Sequence, residues 1–299
     1  MAGVRTLLLL AVGVLAVSLS GPLMAAMVVP PLAIAFWRNG LATFALAPAA
    51  VVGRRHEITH LGSRQLALIA GSGLALAIHF GTWVTSLTLT SVASATALVC
   101  LQVAWVVAWQ LARGERFNPG LLAGLVLSLA GVVVVSGVDF ALSPRALLGD
   151  LLALVGGMAA AAYMLVGSRA RQTVTTTTYT VVCYGSCSLV LLFGCVVSGQ
   201  ALWGYEAPQW GLLLLVTLTA QLMGHSVFNH LLASTGPMVV SLALLLEVPG
   251  ASLLAAWFLG QRPSLAAVVG LLVILAGMAL VIANNTTPGT EPSLQPPVD

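Results

Sequence analysis

The stretch that decides the fold reads His225-S-V-F-N-H-L-L-A-S-T-G-P-M-V-V-S-L-A-L-L-L-Glu247. Two apolar runs of helix length flank a Ser-Thr-Gly-Pro turn centred near Gly236. His225 lies about eleven residues before that centre and Glu247 about eleven after it; at ~1.5 Å rise per residue, each is roughly 16 Å from the turn on two antiparallel helices. A bilayer has an apolar core ~30 Å thick, so both residues sit near its midplane. Ionisable groups at that depth are costly, face the protein interior and are functional candidates by default.

The whole chain supports a membrane setting. Hydrophobic residues make up 59% and charged residues 6% of its 299 positions, against about 25% charged in an ordinary soluble domain. The apolar runs are helix-length, which excludes a barrel. All eleven basic residues are Arg and the net charge is +3, with no dense basic face, so nucleic acid is not a partner. Cys100, Cys183, Cys187 and Cys195 lie inside apolar segments and read as small packing residues, not as disulfides. The first 25 residues mimic a signal peptide, with Arg5, a long apolar run and small residues near Ala25; the repeat described below requires this segment as a retained helix.

Ten hydrophobic segments follow in order, at about 6–27, 31–52, 65–87, 92–111, 119–137, 149–168, 174–198, 211–232, 237–259 and 264–283. Pro30-Pro31, Pro119, Pro144, Pro208, Gly236-Pro237 and Pro263 fall at segment ends. The longest connection, 199–210, carries Trp203, Tyr205 and Trp210, as expected at a headgroup boundary. With the N-terminus inside, Arg5, Arg54, Arg55, Arg64, Arg113, Arg116, Arg169 and Arg171 fall on the cytoplasmic side, and only Arg145 and Arg262 fall outside. That bias places both termini of a multi-pass inner-membrane protein in the cytoplasm. The polar tail, 284–299, reads as disordered.

The halves repeat. A shift of 146 residues superposes Gly114 on Gly260, Arg116 on Arg262, Gly124 on Gly270, Gly131 on Gly277 and His79 on His225. Five helices per half is an odd number, so the second half enters the membrane upside down relative to the first. The fold class is therefore an all-α membrane protein of ten transmembrane helices in two inverted-topology five-helix repeats, 1–138 and 139–283. Substrate sites in such folds lie near the midplane at the repeat interface.

Several stretches carry a family likeness: Pro31-L-A-I-A-F-W-Arg38; L-A-I-His79-F-G-T-Trp83-V-T-S-L; Gly114-Glu115-Arg116 before a Gly-rich segment; G-D-L-L-A-L at 149–154; Gly224-His225-S-V-F-Asn229; and L-L-L-Glu247-V-Pro249 before Gly260-Gln261-Arg262. Over about 280 residues the chain resembles the tandem EamA-type, ten-helix members of the drug/metabolite transporter superfamily. The resemblance implies a basket-like bundle. A central cavity would be lined mainly by segments 1, 3, 4, 6, 8 and 9, with segments 5 and 10 at the periphery, and the cargo would be metabolites, amino acids or drugs, often moved outward. There are two departures. A family-typical Pro is missing around Gln102-Val103-Ala104, which would straighten segment 4, and the second Gly-Glu motif reads Gly260-Gln261.

His225 and Glu247 are the first candidates for substrate binding and proton coupling. Low-dielectric surroundings favour a neutral carboxyl, which suits a proton carrier; the alternative is a structural pair that locks two helices. Gln221, His225 and Asn229, spaced by four, make one polar stripe expected to line a cavity or to join helices. His79 and Trp83 are one turn apart and would form the opposite wall; otherwise His79 bonds a backbone carbonyl and Trp83 packs. Gln102, beside the position that mirrors Glu247, and Tyr163 complete the wall, with Ser18 and Ser20 nearby. Arg38, seven residues into the second segment, could attract an anionic substrate group; the structural reading, snorkelling to headgroups or pairing with Glu206 or Asp150, is preferred. Gly21-Pro22 would loosen the first helix. No spacing of the three intramembrane His suggests a metal site, and no cofactor is implied.

These readings converge on a secondary transporter of small amino-acid-like or drug-like metabolites, an exporter by alternating access, whose partners are a small-molecule substrate, the lipid bilayer and protons. A non-transporting scaffold or sensor that retains the fold is the alternative. An intramembrane enzyme is disfavoured, since no Ser/His/Asp or metal constellation has workable spacing.

Overall fold

A computed structural model describes residues 2–137 and 143–284, and all regular structure among them is helical. The first apolar segment forms α1 (Ala2–Ser18) and α2 (Ser20–Ala25); then come α3 (Pro31–Gly53), the short α4 (Arg55–Thr59) and α5 (Ser63–Ser86). The fourth segment is α6 (Val92–Val99) plus α7 (Gln102–Ala112), and the fifth is α8 (Pro119–Gly137). The second half runs α9 (Pro144–Ala170), α10 (Thr176–Ser198), α11 (Ala207–Val216), a π-helical segment Thr217–His225, α12 (Ser226–Leu244), α13 (Glu247–Leu259) and α14 (Leu265–Asn284). The repeat boundary at 138/139 and the tail from 285 lie outside the described residues.

Seven helical stretches are long and apolar enough to cross a membrane, accompanied by shorter apolar helices at Pro119–Val135 and Glu247–Leu259. One of the seven, Ala207–Leu244, has 38 residues, or about 57 Å at 1.5 Å per residue, nearly twice the apolar core. It is two helices. Gly236 sits at φ 77° and ψ 168°, outside the helical region, and Pro237 restarts the chain behind it. The outward faces carry bare apolar side chains such as Phe193, Leu253 and Trp257, which a lipid environment accepts.

The fourth segment corrects one expectation. The missing proline does not straighten it, because the helix breaks between Val99 and Gln102. Cys100 and Leu101 keep ψ near zero, and the N–H groups of Leu101, Val103 and Ala104 bond carbonyls three residues back, so the turn tightens without proline. The Cys100 thiol donates to the Leu244 carbonyl at 3.3 Å. That carbonyl belongs to the break between α12 and α13, where Leu245, Leu246 and Val248 bond in the same three-back way. The two discontinuous helices meet at their breaks.

Inverted pseudo-symmetry is visible in the packing. On α8 and α14, a Cβ added at Gly124 would lie 2.7 Å from the Gly277 carbonyl oxygen, and one at Gly131 would lie 2.6 Å from that of Gly270. A shift of 146 residues turns each pair into the other. Ser128 Oγ donates to the carbonyl of Ile274, its own repeat mate, at 3.3 Å, so the pseudo-twofold axis passes between them. The connections mirror each other too. Gln200 accepts from the Leu32 N–H near the start of α3, and Glu57 accepts from the Thr175 N–H at the start of α10. The loop between α10 and α11 packs on α3 through Trp37, whose ring stands 4.6 Å from Trp203 and 5.0 Å from Trp210, and whose indole N–H donates to the Leu202 carbonyl.

Candidate functional site

A small cavity of about 20 Å³ lies where the broken helices meet. Six of the eight sequence-selected residues line it: His79, Trp83, Gln102, Tyr163, His225 and Glu247. Ser20 joins them from the first segment. The volume is on the scale of a single water molecule, so any larger solute requires the walls to part. A larger cavity, of about 160 Å³, lies at helix ends among Ser91, Ser252, Gln261 and Arg262. It holds none of the eight sequence-selected residues.

Each wall residue is placed by local structure. Gln102 is the first residue of α7 and Glu247 the first of α13, so both stand at helix N-termini created by the breaks. A carboxylate is favoured at that end of a helix dipole. Glu247 is 6% exposed and Gln102 5%. His79 is held from α9, where its Nδ1 lies 3.0 Å from the Gly156 carbonyl. Glycine eases that close approach, since a Cβ at Gly156 would lie a tight 3.3 Å from the His79 carbonyl and 3.2 Å from the Trp83 Cβ. His79 stacks on Trp83 at 5.7 Å and faces His225 at 6.3 Å between centroids. The two histidines are repeat mates, so they meet across the same axis as Ser128 and Ile274. The facing helices thus bring His225 and Glu247 to one cavity, with no hydrogen bond or ion pair between these two described residues.

The polar stripe divides. Four-residue spacing shares a face only at the α-helical period, but Thr217–His225 is π-helical and bonds five back, as Ser226 Oγ also does to the Gln221 carbonyl at 3.2 Å. His225 keeps the cavity. Gln221 turns toward α3, accepting from Arg38 Nε at 2.8 Å and donating to Asn39 Oδ1 at 3.0 Å. Asn229 turns toward α9 and α10, accepting from the Tyr163 hydroxyl and donating to Tyr184 at 3.3 Å. Gln221 and Asn229 are fully buried joints between helices, the alternative role open to them, and not wall residues in this conformation.

Arg38 is the largest departure from expectation. It neither snorkels nor pairs with Glu206 or Asp150. Its guanidinium is fully buried, 4.0 Å over the Phe80 ring, donating from Nη1 to Ser20 at 3.0 Å. It makes no ion pair among the described residues. The proline at the start of α3 and the buried run Ala33-Ile34-Ala35 set its inward face, and Ser20 becomes available because the first segment breaks at Leu19. Sequence reading also passed over Asn39, Tyr184 and Phe80. Asn39 follows Arg38 directly, a signal that was there to use; Tyr184 sits in an apolar run with no period that distinguishes it.

A protein of Archaeoglobus fulgidus described as an uncharacterized transporter is 27% identical over 260 residues, spanning 85% of this chain and 89% of that one. A solved crystal structure superposes with a TM-score of 0.73 at 18% identity, over 93% of this chain and 96% of that one, which shows a shared fold. The description of the EamA-like transporter family matches twice, at residues 4–137 and 147–283, one match for each half. This multi-pass membrane protein therefore belongs to the EamA-like transporter family.

Proposed function

We propose that the chain is a ten-span secondary transporter of small amino-acid-like or drug-like solutes, working outward by alternating access in the inner membrane with both termini cytoplasmic. The observation that carries the reading is the convergence of six polar or aromatic side chains, from both repeats, on one small cavity at the pseudo-symmetry axis. Broken helices whose new N-termini face a midplane cavity are the construction expected of a site that must open to each side in turn. His225 and Glu247 are the coupling pair in this reading, because they are the imidazole and the carboxyl on the second-repeat wall and share the cavity without being tied to each other.

The test is counterflow and gradient-driven uptake in proteoliposomes, using a panel of amino acids and cationic dyes. A Glu247→Gln variant should keep exchange but lose dependence on an imposed pH gradient, while Gln221→Ala should mainly lower thermal stability. Full, pH-independent transport in both wild type and Glu247→Gln would end the coupling assignment. A wild type that exchanges no solute would favour a scaffold instead.

A further inference from the structure

We propose that the cavity recognises its solute by a carboxylate, held by the Arg38 guanidinium with the Trp83 indole N–H as second donor. The inference rests on the transport reading above and adds the chemical class of the cargo. Arg38 is 0% exposed, and its Nη2 meets no hydrogen-bond partner. Trp83 is 2% exposed, lines the cavity, and its Nε1 is likewise unpartnered. Buried donors are normally satisfied, and a charge in a membrane interior pairs with an opposite charge or with backbone carbonyls. Here the direct contacts of Arg38 are neutral, namely Gln221 Oε1, Ser20 Oγ, the Met24 sulfur at 3.5 Å and the Phe80 face, while the Glu247 carboxyl is within electrostatic reach but makes no ion pair with it.

The group is also held ready. Gln221, which fixes Nε, is itself fixed by Asn39 Oδ1, and Asn39 Nδ2 donates to the Ala35 carbonyl at 2.9 Å. Ser20, which takes Nη1, is a wall residue of the cavity, so Arg38 stands directly behind that wall. A planar fork with one arm anchored and one arm free is suited to a planar carboxylate, which a lysine would grip less well. Glu247 lies on the same cavity and offers the opposite charge, so a zwitterion fits as well as a simple carboxylate.

The experiment is a thermal-shift and competition assay on the detergent-purified full chain. The probes are matched pairs at equal concentration: leucine with leucinamide, phenylalanine with phenylalaninamide, and benzoate with benzamide. The wild type is expected to be stabilised by at least one of the acids, with an apparent affinity about tenfold or more above that of its amide. Arg38→Gln should erase the difference between acid and amide. Arg38→Lys keeps the charge, guards against loss of fold, and should weaken the acid about tenfold. Ala160→Leu, which fills the cavity, should abolish the response to every probe. Equal stabilisation by acid and amide, survival of the difference in Arg38→Gln, or no stabilisation by any acid would each overturn the proposal. If probes bind without discrimination yet remain sensitive to Ala160→Leu, only the carboxylate assignment falls. If binding ignores Ala160→Leu, the cavity reading falls with it.

Discussion

Replacing Gly131 by alanine tests the architecture at a close backbone crossing. The added Cβ would lie 2.6 Å from the Gly270 carbonyl oxygen and 2.7 Å from the Ile274 nitrogen. Both neighbours are backbone, so no rotamer change relieves them. A carbon–oxygen contact is comfortable at about 3.3 Å, so α8 and α14 must part by roughly 0.7 Å. Overpacking of this kind costs about 1–3 kcal/mol. The controls are Gly71 and Gly211, which lie in α5 and α11 and would meet nothing within 4 Å. At those sites alanine should be neutral or stabilising by about 0.5–1 kcal/mol, since glycine is the poorer helix former. Thermal unfolding in detergent, read by tryptophan fluorescence, should therefore separate Gly131→Ala from the controls by several degrees, on the scale of about 2–4 °C per kcal/mol. Gly270→Ala should behave like Gly131→Ala, because its Cβ meets the Gly131 carbonyl at 2.8 Å. The double variant should cost less than the sum, since one displacement serves both. If Gly131→Ala matches Gly71→Ala in stability, the helices do not approach this closely and the pseudo-symmetric crossing is wrong.

Two further outcomes are expected. Glu57, in the connection between α3 and α5, accepts from Thr175 N at 2.8 Å and from the hydroxyls of Thr175 and Thr178 at 2.6 Å. Burial pushes its carboxyl up, but those hydrogen bonds and the Arg54 charge outweigh burial and hold it below the usual range. A group lowered on folding stabilises the fold above its unfolded value, near 4.3, and loses that contribution as pH falls through the folded value. Glu57→Gln should therefore destabilise the protein at neutral pH, and melting curves of variant and wild type should draw together below about pH 4; a gap that stays constant across pH would contradict the bonding described. Gly236→Ala places a Cβ at φ 77° and ψ 168°, which side chains avoid, with nothing within 4 Å to clash. The expected cost is about 1–3 kcal/mol from backbone strain alone; an unchanged melting temperature would mean that the turn relaxes freely.

The sequence made the frame legible because the frame is periodic. Apolar runs, proline punctuation and the 146-residue shift are repeated signals, and the shift alone pairs His79 with His225. The Gly236 turn was legible for the same reason, since Gly-Pro between two apolar runs has few readings. What was hidden depended on departures from period. The π-helical turns at Thr217–His225 rotate Gln221 away from His225, and nothing in T-L-T-A-Q-L-M-G-H announces an extra residue per turn. The break at Cys100-Leu101 was hidden because proline is only one way to tighten a helix. The inward turn of Arg38 was hidden because reach alone cannot tell a snorkelling arginine from one turned inward; the decision lies with Ser20 and Gln221, which are distant in the chain.

The repeated frame carries unrepeated chemistry, and that division has a mechanical meaning. His79 and His225 are mates, and so are Val17 and Tyr163; all four line the cavity. The polar wall does not follow this pattern. The shift of 146 maps Arg38 onto Tyr184, Gln102 onto Val248, Trp83 onto Asn229 and Leu101 onto Glu247. A symmetric scaffold lets the two halves exchange conformations at little cost, because each exchange regenerates the same packing in mirrored roles. A symmetric set of polar groups would give a solute two equivalent orientations in the cavity. Under the carboxylate assignment proposed above, Arg38 from one half and Glu247 from the other would favour one orientation, and a solute so held would keep its contacts while the helices around it changed sides.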